Sequence, residues 1–382
     1  MKHCVLIIDG AAGWPLPERG GKTCLELAET PNLDALAKEG VVGLIRTVPE
    51  GMEPSSACAC MSLLGYDPGL YYRGRAAIEA VSMGAAINEG EVVFRCNLVA
   101  VEDGRMNSYC AGHIGTDEAE KLIEALNANL GSEGIRFYPG VSYRHLLKLK
   151  GHEDTAKAIC TPPHDIPDKP FADFLPRGQG SDLLRRLMRD SALVLGKHPV
   201  NKTRQARGDI PANMIWLFWG SGRVPEIPAF EQVYGLKAAL TSGVDLLCGL
   251  GRMMAMDILA IPGITDGLDN DFQGQALGAL ESLDDHDLAV IHIEASDEAG
   301  HAGSIDDKVD AIQRVDKEVV SRLRQFEPGN LRLLVMPDHP TPIKIKTHVA
   351  EPVPFILWGP GFSANGAERF TEVEAKKAGL FI

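Results

Sequence analysis

The sequence lacks the features that mark several classes of protein. No stretch approaches the ~18 consecutive apolar residues of a membrane-spanning helix, and the apolar run at residues 5–8 is shorter than the roughly 7 to 15 residues of a signal peptide. No block of Lys or Arg occurs, and 52 acidic against 38 basic residues give a net charge of −14. These features predict no membrane association, and they argue against nucleic acid or anionic lipid as the main partner.

Cysteine is also sparse. The eight cysteines are scattered along 382 residues, and none has the paired CxxC spacing of a zinc or redox site. This pattern is typical of reduced thiols and predicts a cytoplasmic protein.

Apolar strands alternate with helical patterns near both ends of the chain. The composition is globular, with 45% hydrophobic and 24% charged residues, and the length predicts two or three domains. Thr30 and Pro31 are typical of an N-cap and a first helical residue, and Gly40 ends that helix. Strands are predicted at 5–8, 288–293, 331–336 and 352–358, and a second helix at 304–326. Together these elements predict one doubly wound α/β sheet.

The order of predicted strands and helices is different in the middle of the chain. Strands are predicted at 91–101, 136–139 and 142–150, and helices at 116–130 and 181–195, around an irregular Pro-rich stretch at 161–167. We therefore predict a core formed by residues 1–85 and 206–382, with an α+β domain inserted at 86–205.

Acidic and imidazole side chains follow the predicted strands of the core, at the points where these strands end. Ligands bind outside the carboxyl ends of parallel strands, so residues distant in sequence can converge there. Carboxylates and imidazoles suit Mn²⁺, Mg²⁺ or Zn²⁺, and six of them suffice for two ions if one group bridges both. The candidate ligands are Asp9, Asp297, His301, Asp338, His339 and His348.

A serine hydroxyl is predicted beside this set. Ser55 and Ser56 precede a helix of small apolar residues, where the helix dipole and free N–H groups favour phosphate. A coordinated metal would make such a hydroxyl a nucleophile. Either serine could equally be an N-cap.

Seven short strings, together spanning residues 6 to 342, resemble the archaeal-type, cofactor-independent phosphoglycerate mutases of the alkaline phosphatase superfamily. They are LIIDG (6–10), GKTCLE (21–26), TPNLD (30–34), LGYDP (64–68), FYPGVSYR (137–144), DEAGH (297–301) and PDHPTP (337–342). The resemblance implies an alkaline-phosphatase-like core sheet with an inserted domain that holds glycerate and excludes water.

The resemblance also implies how the site works. One ion, Mn²⁺ or Mg²⁺ with Zn²⁺ as the alternative, would be held by Asp297, His301 and His348. The other would be held by Asp9, Asp338, His339 and Ser56. Ser56 would take the phosphoryl group from 3-phosphoglycerate and return it to the 2-hydroxyl, without bisphosphoglycerate as a cofactor.

Three cations stand where the family has basic side chains near the phosphate or carboxylate of this small phosphorylated substrate. They are Arg75, Arg204 and Lys237, and each could equally be a solvated surface cation. Arg suits both anionic groups because its planar fork binds oxyanions bidentately.

The sequence departs from the family pattern after the nucleophile. Ala57 and Cys60 stand where the family has polar side chains, and His113 where an acidic residue is common. These departures leave open a metal-dependent phosphatase, or a mutase of another phosphorylated metabolite, while the intact ligand set disfavours a non-catalytic relative. The expected role of Cys58 and Cys60 is packing. The sequence does not indicate the oligomeric state.

Overall fold

The structure is a computed structural model, and it describes residues 1–85, 87–223, 225–326 and 329–382. Its strands are β1 (Lys2–Ile8), β2 (Val41–Ile45), β3 (Glu91–Glu102), β4 (Arg105–Ser108), β5 (Ile135–Tyr138), β6 (Arg144–Lys150), β7 (Met214–Gly222), β8 (Ala238–Thr241), β9 (Asp257–Ile258), β10 (Leu288–Ile293), β11 (Leu331–Met336) and β12 (Val353–Trp358).

The helices of the described residues alternate with these strands. They are α1 (Cys24–Leu27), α2 (Pro31–Glu39), α3 (Ser56–Leu63), α4 (Pro68–Tyr71), α5 (Arg75–Ser82), α6 (Thr116–Leu130), α7 (Ser181–Leu195), α8 (Pro199–Arg207), α9 (Phe230–Tyr234), α10 (Asp245–Met253), α11 (Phe272–Ser282), α12 (Ala295–Ala302), α13 (Ile305–Arg314), α14 (Ser321–Gln325) and α15 (Glu372–Ala378). Within the described ranges, no helix is both long enough and apolar enough to cross a bilayer.

The chain divides into two compact units, Met1–Tyr72 with Glu226–Ile382, and Arg73–Pro225. The first unit, which we call the core unit, contains a seven-stranded sheet in the order β2-β12-β11-β1-β10-β8-β9. The strands β11, β1, β10, β8 and β9 run parallel, whereas β12 pairs antiparallel with both β11 and β2. The predicted α/β class is confirmed, with one reversed strand that the sequence pattern did not reveal.

The second unit, which we call the inserted unit, is an antiparallel sheet of β4, β3, β6 and β5, with β7 paired to β3. Alternate residues of β3 enter two apolar clusters: Val92 and Phe94 pack with α6 and α7, while Val93 packs with α5. This unit extends beyond the predicted 86–205 at both ends. The extension follows from long-range contacts, because β7 pairs along β3 and the small residues of α5 pack against the same sheet.

The predicted helix at 304–326 is observed as α13 and α14 joined by a π-helical turn, Val315–Val320. Asp316 in this turn is 1% exposed and accepts hydrogen bonds from the backbone N–H of Leu33 (2.7 Å) and Asn32 (3.3 Å). Thr30 is the N-cap residue of α2, as predicted, but its side chain makes no capping hydrogen bond. The N-terminus of α2 is therefore capped by a carboxylate from a distant part of the chain.

We expect Asp316→Ala to lower the free energy of unfolding by about 1 to 2 kcal/mol, because two helix N–H groups lose their acceptor. Thr30→Ala is the matched control and should cost less, since no described residue hydrogen-bonds to the Thr30 hydroxyl. Chemical denaturation measures both values, and an equal loss in the two variants would contradict this assignment of the cap.

A second prediction concerns His145 in β6, which is 1% exposed and accepts a hydrogen bond from the N–H of Gly140 at Nδ1 (3.0 Å). Burial lowers the pKa of His145 to about 3, against a usual value of about 6.5. Above pH 6.5 both the folded and the unfolded chain carry a neutral ring. Between the two pKa values only the unfolded chain gains the proton, so stability should fall by at most ~1.4 kcal/mol per pH unit.

Unfolding of the wild type and of His145→Gln, measured at pH 7 and pH 5, tests this expectation. Gln retains an acceptor for Gly140 but does not titrate, so the variant should lose less stability on acidification. An identical loss in both proteins would show that His145 does not contribute.

Candidate metal centre

The candidate ligands converge at the carboxyl edge of the core sheet. Ile8 at the end of β1 pairs with Ile293 at the end of β10, and Met336 at the end of β11 lies beside Ile7. The acidic residues that follow these strands, Asp9, Asp297 and Asp338, are each at most 2% exposed. The strand register therefore places three carboxylates together, as the sequence predicted.

The turn after β1 depends on glycine. Gly10 has a φ of +60°, and a side chain there would collide with Oδ1 of Asp297 and Oγ1 of Thr341. Only glycine takes this conformation without strain and leaves room for the neighbouring carboxylate.

Asp297, His301 and His348 form what we call the first ligand group. Oδ2 of Asp297 lies 3.0 Å from Nε2 of His301 and 3.6 Å from Nε2 of His348. His301 Nδ1 lies 2.9 Å from the carbonyl oxygen of Lys346. Because a carbonyl can only accept, Nδ1 carries a proton, and when the ring is neutral its Nε2 faces the group with a lone pair.

Asp9, Asp338 and His339 form the second ligand group. Nε2 of His339 lies 3.2 Å from Oδ2 of Asp338 and 3.6 Å from Oδ1 of Asp9. Thr341 Oγ1 donates to Asp297 and so can accept from Nδ1 of His339 at 3.3 Å. This leaves Nε2 of His339 with its lone pair toward the group.

These residues fit a divalent cation. Asp9 Oδ1 is buried and has no hydrogen-bond partner among the described residues, a costly state for a carboxylate oxygen unless a cation satisfies it. Ligand atoms separated by 3.0 to 3.6 Å suit positions about 2.1 Å from a common ion. Oxygen and imidazole donors match Mn²⁺, Mg²⁺ or Zn²⁺.

The electrostatics of both groups favour a cation. Burial, together with the charges of Asp338 and Asp297, raises the pKa of Asp9 well above its usual range. Burial alone would lower the pKa of His301, but the neighbouring Asp297 raises it to about 9. A bound cation would reverse both effects, because it favours the ionised carboxylate and displaces the imidazole proton.

The two candidate serines have different roles. Ser55 is the N-cap of α3, and its hydroxyl accepts from the N–H of Cys58 at 3.3 Å. Ser56 is the first residue of the helix, and its Oγ lies 3.2 Å from Nε2 of His339. Of the two hydroxyls, that of Ser56 therefore lies beside the second ligand group.

The two cysteines of α3 also differ. Cys58 is buried in a small apolar cluster with Val48 and Ala59, and these surroundings fit a packing role for its side chain. Cys60 is buried too, but its Sγ lies 3.7 Å from Oδ2 of Asp338. Burial and the charge of Asp338 raise the pKa of Cys60 well above its usual value, so a protonated thiol contacts a ligand of the second group.

Sequence reasoning missed two polar residues of this edge, His292 and Glu294, which form a further trio with Asp9. Nε2 of His292 lies 2.7 Å from Oδ2 of Asp9 and 3.5 Å from Oε2 of Glu294. Burial and the charge of Asp9 raise the pKa of Glu294 well above its usual range. The available signal was a histidine inside the otherwise apolar, fully buried strand β10.

Two of the three predicted substrate cations are engaged elsewhere. Lys237 precedes β8 at the amino edge of the core sheet, opposite the ligand groups, and lies 3.8 Å from Asp257. Arg204 in the inserted unit is 4% exposed, pairs with Glu118 at 2.5 Å and donates to the carbonyl groups of Ala111 and Ile210. Lys237 thus lies away from the ligand groups, and the guanidinium of Arg204 is occupied by protein partners. The substrate roles of both residues stay predictions.

Arg75, also in the inserted unit, keeps 35% of its side chain exposed. It pairs with Glu79 at 2.9 Å and stacks over the ring of Trp219. Its side chain is therefore partly accessible, and its substrate role stays a prediction.

The chain is similar to several known proteins. A family model described as 2,3-bisphosphoglycerate-independent phosphoglycerate mutase matches residues 37–201. The 2,3-bisphosphoglycerate-independent phosphoglycerate mutase of Methanosarcina acetivorans is 44% identical, with 100% of this chain and 96% of the relative covered. Among solved structures, a Pyrococcus horikoshii protein superposes with a TM-score of 0.84 at 26% identity, covering 100% of this chain and 93% of that one. The cofactor-independent phosphoglycerate mutase of Thermoplasma acidophilum gives 0.64 at 26% identity, covering 100% and 96%.

We expect His301→Ala to lower the metal content per chain, because the first ligand group loses one of three donors. The matched control is His286→Ala, which removes a histidine bound to Asp257 at the opposite edge of the sheet. Elemental analysis of the purified proteins measures the content. If the metal content is unchanged in His301→Ala, His301 is not a ligand.

Proposed function

The chain belongs to the 2,3-bisphosphoglycerate-independent phosphoglycerate mutases, and we propose that Ser56 and the two ligand groups form its catalytic centre. The reaction interconverts 3-phosphoglycerate and 2-phosphoglycerate, a step of glycolysis and gluconeogenesis. The enzyme is accordingly an isomerase, an intramolecular phosphotransferase whose substrate is a small phosphorylated metabolite.

One observation carries the assignment of the nucleophile: Ser56 Oγ lies 3.2 Å from Nε2 of His339, at the start of α3. The first N–H groups of the helix and the positive end of its dipole favour a phosphoryl group at that point. Because Ser55 performs the capping, the Ser56 hydroxyl is available for chemistry.

The proposed steps follow from that position. Ser56 Oγ gives up its proton and attacks the phosphorus of 3-phosphoglycerate, so that the Oγ–P bond forms, the bond from phosphorus to the 3-oxygen breaks, and the 3-oxygen takes up a proton. The glycerate then reorients. Its 2-hydroxyl gives up its proton and attacks the phosphorus of the phosphoserine, the Oγ–P bond breaks, and Ser56 Oγ regains a proton. Because the protein itself carries the phosphoryl group between these steps, no bisphosphoglycerate is needed.

The first ligand group would hold one divalent cation, and the second group together with Ser56 would hold another. Mn²⁺ and Mg²⁺ are the expected ions, with Zn²⁺ as a further possibility. Bound there, two such ions lower the pKa of the serine hydroxyl and neutralise the charge of the transferring phosphoryl group. The buried carboxylates Asp9, Asp297 and Asp338 fix where this positive charge accumulates.

Two further expectations belong to this proposal. Arg75 is a candidate for contact with an anionic group of the substrate, since its side chain is partly exposed. All eight cysteines are free thiols, which supports a cytoplasmic enzyme, because thiols stay reduced in that compartment.

The test of this function is to incubate the purified, Mn²⁺-loaded protein with 3-phosphoglycerate and to follow both 2-phosphoglycerate and free phosphate. We expect 2-phosphoglycerate with little free phosphate. Release of phosphate alone would instead indicate a phosphatase, the alternative suggested by Ala57 and Cys60. Absence of both products with Mn²⁺, Mg²⁺ and Zn²⁺ would contradict catalysis on this substrate.

We expect Ser56→Ala to abolish turnover while the fold is retained, because the variant lacks the hydroxyl that is proposed to carry the phosphoryl group. Ser55→Ala is the matched control, one residue away. It removes the cap of α3 and should cost about 1 kcal/mol of stability with activity largely kept. Retained activity in Ser56→Ala would show that the nucleophile is another residue.

A further inference from the structure

His292 is a polar residue in a strand that is otherwise apolar. It is the fifth residue of β10 and is 1% exposed, with every residue of the strand buried. Both ring nitrogens are nevertheless engaged: Nε2 lies 2.7 Å from Oδ2 of Asp9, and Nδ1 lies 2.9 Å from Oγ of Ser242. A buried imidazole with two such partners is held in one orientation.

The carboxylate of Asp9 sets the direction of these hydrogen bonds, because an ionised carboxylate oxygen only accepts. Ser242 Oγ accepts from the backbone N–H of Val244 at 3.0 Å, and it can donate its own proton to Nδ1 of His292. The ring then carries its proton on Nε2 and donates it to Asp9. The opposite arrangement would place a lone pair of Nε2 against the carboxylate oxygen.

His292 differs from the metal-ligand candidates in its distance to Asp9. The 2.7 Å between Nε2 and Oδ2 is a hydrogen-bond length, whereas His339 lies 3.6 Å from the other oxygen of the same carboxylate. The two oxygens of Asp9 therefore have different partners: Oδ2 faces His292, and Oδ1 faces the second ligand group.

Other contacts hold Asp9 against the same segment of the chain. Its N–H donates to the carbonyl oxygen of Ile293 at 2.9 Å, and its own carbonyl oxygen accepts from the hydroxyl of Ser296. These two hydrogen bonds fix the backbone of Asp9. The carboxylate could still rotate, and the hydrogen bond to His292 prevents that rotation.

We propose that His292 is a positioning residue, which occupies Oδ2 of Asp9 and so presents only Oδ1 to the cation of the second ligand group. This inference rests on the proposed function, because it assumes that the second group binds a metal ion. Outer partners of this kind orient metal ligands and tune the bound ion. Glu294, whose Oε2 lies 3.5 Å from Nε2 of His292, is the other charged group that faces this ring.

The test uses Co²⁺ as a spectroscopic probe in the full-length protein, with wild type, His292→Leu, His292→Gln and Ser242→Ala compared. His292→Leu should weaken Co²⁺ binding at one of the sites by about 10- to 100-fold. Its visible Co²⁺ absorption should also become less intense, because a freed Asp9 can add its second oxygen to the ion. His292→Gln keeps an N–H donor and should restore most of the affinity and the spectrum.

Several outcomes would overturn the inference. An unchanged affinity and spectrum in His292→Leu would show that Asp9 needs no positioning, and equal losses in the Leu and Gln variants would show a packing role only. If His292→Leu does not fold, the Co²⁺ affinity and spectrum of His292→Gln and Ser242→Ala test the proposal instead. Ser242→Ala leaves Asp9 untouched and should shift the spectrum in the same direction by a smaller amount, and no shift would count against the proposal. A wild type that binds no Co²⁺ would instead contradict the proposed function itself.

Discussion

Three carboxylates buried together at one sheet edge impose the constraint on which the rest of the site depends. Asp9, Asp297 and Asp338 follow strands whose register leaves them no room to separate. Buried like charges are costly unless cations or hydrogen bonds compensate them. The histidines, the hydroxyl groups and the proposed metal ions around this edge are that compensation, so the chemistry of the site follows from an electrostatic requirement of the fold.

Contacts with neighbouring residues hold the candidate ligands in position. Thr341 connects the two ligand groups, since its hydroxyl contacts both Asp297 and His339. Lys308 is fully buried, and its Nζ donates to the carbonyl groups of Ala12 (3.1 Å) and Thr341 (2.8 Å). It thereby joins the loops that follow β1 and β11, each of which carries ligands. A site prepared in this way loses little entropy when it binds its ions and substrate.

Much of the fold could be predicted because apolar periodicity reports burial directly. The bounds of α6, α7, β10 and β11 agree with the sequence pattern, and the three candidate carboxylate ligands occur after predicted strands. The bounds of the inserted unit were harder to predict from the sequence, because α5 and β7 join it through contacts with β3 that local sequence does not encode. Arg204 and Lys237 show the same limit. The motif of a basic residue does not reveal that Glu118 pairs with Arg204, or that Lys237 lies at the edge of the sheet opposite the ligand groups.

The sequence by itself determined the fold class, the resemblance to the family, and the identity of the six candidate ligands, since these depend on residue type and spacing. Only the tertiary structure decided that Ser55 caps α3 while Ser56 faces His339, and that His292 holds Asp9. Each of the latter two contacts joins residues 283 positions apart. The strand register of the core sheet creates such contacts, and no local propensity of the chain specifies that register.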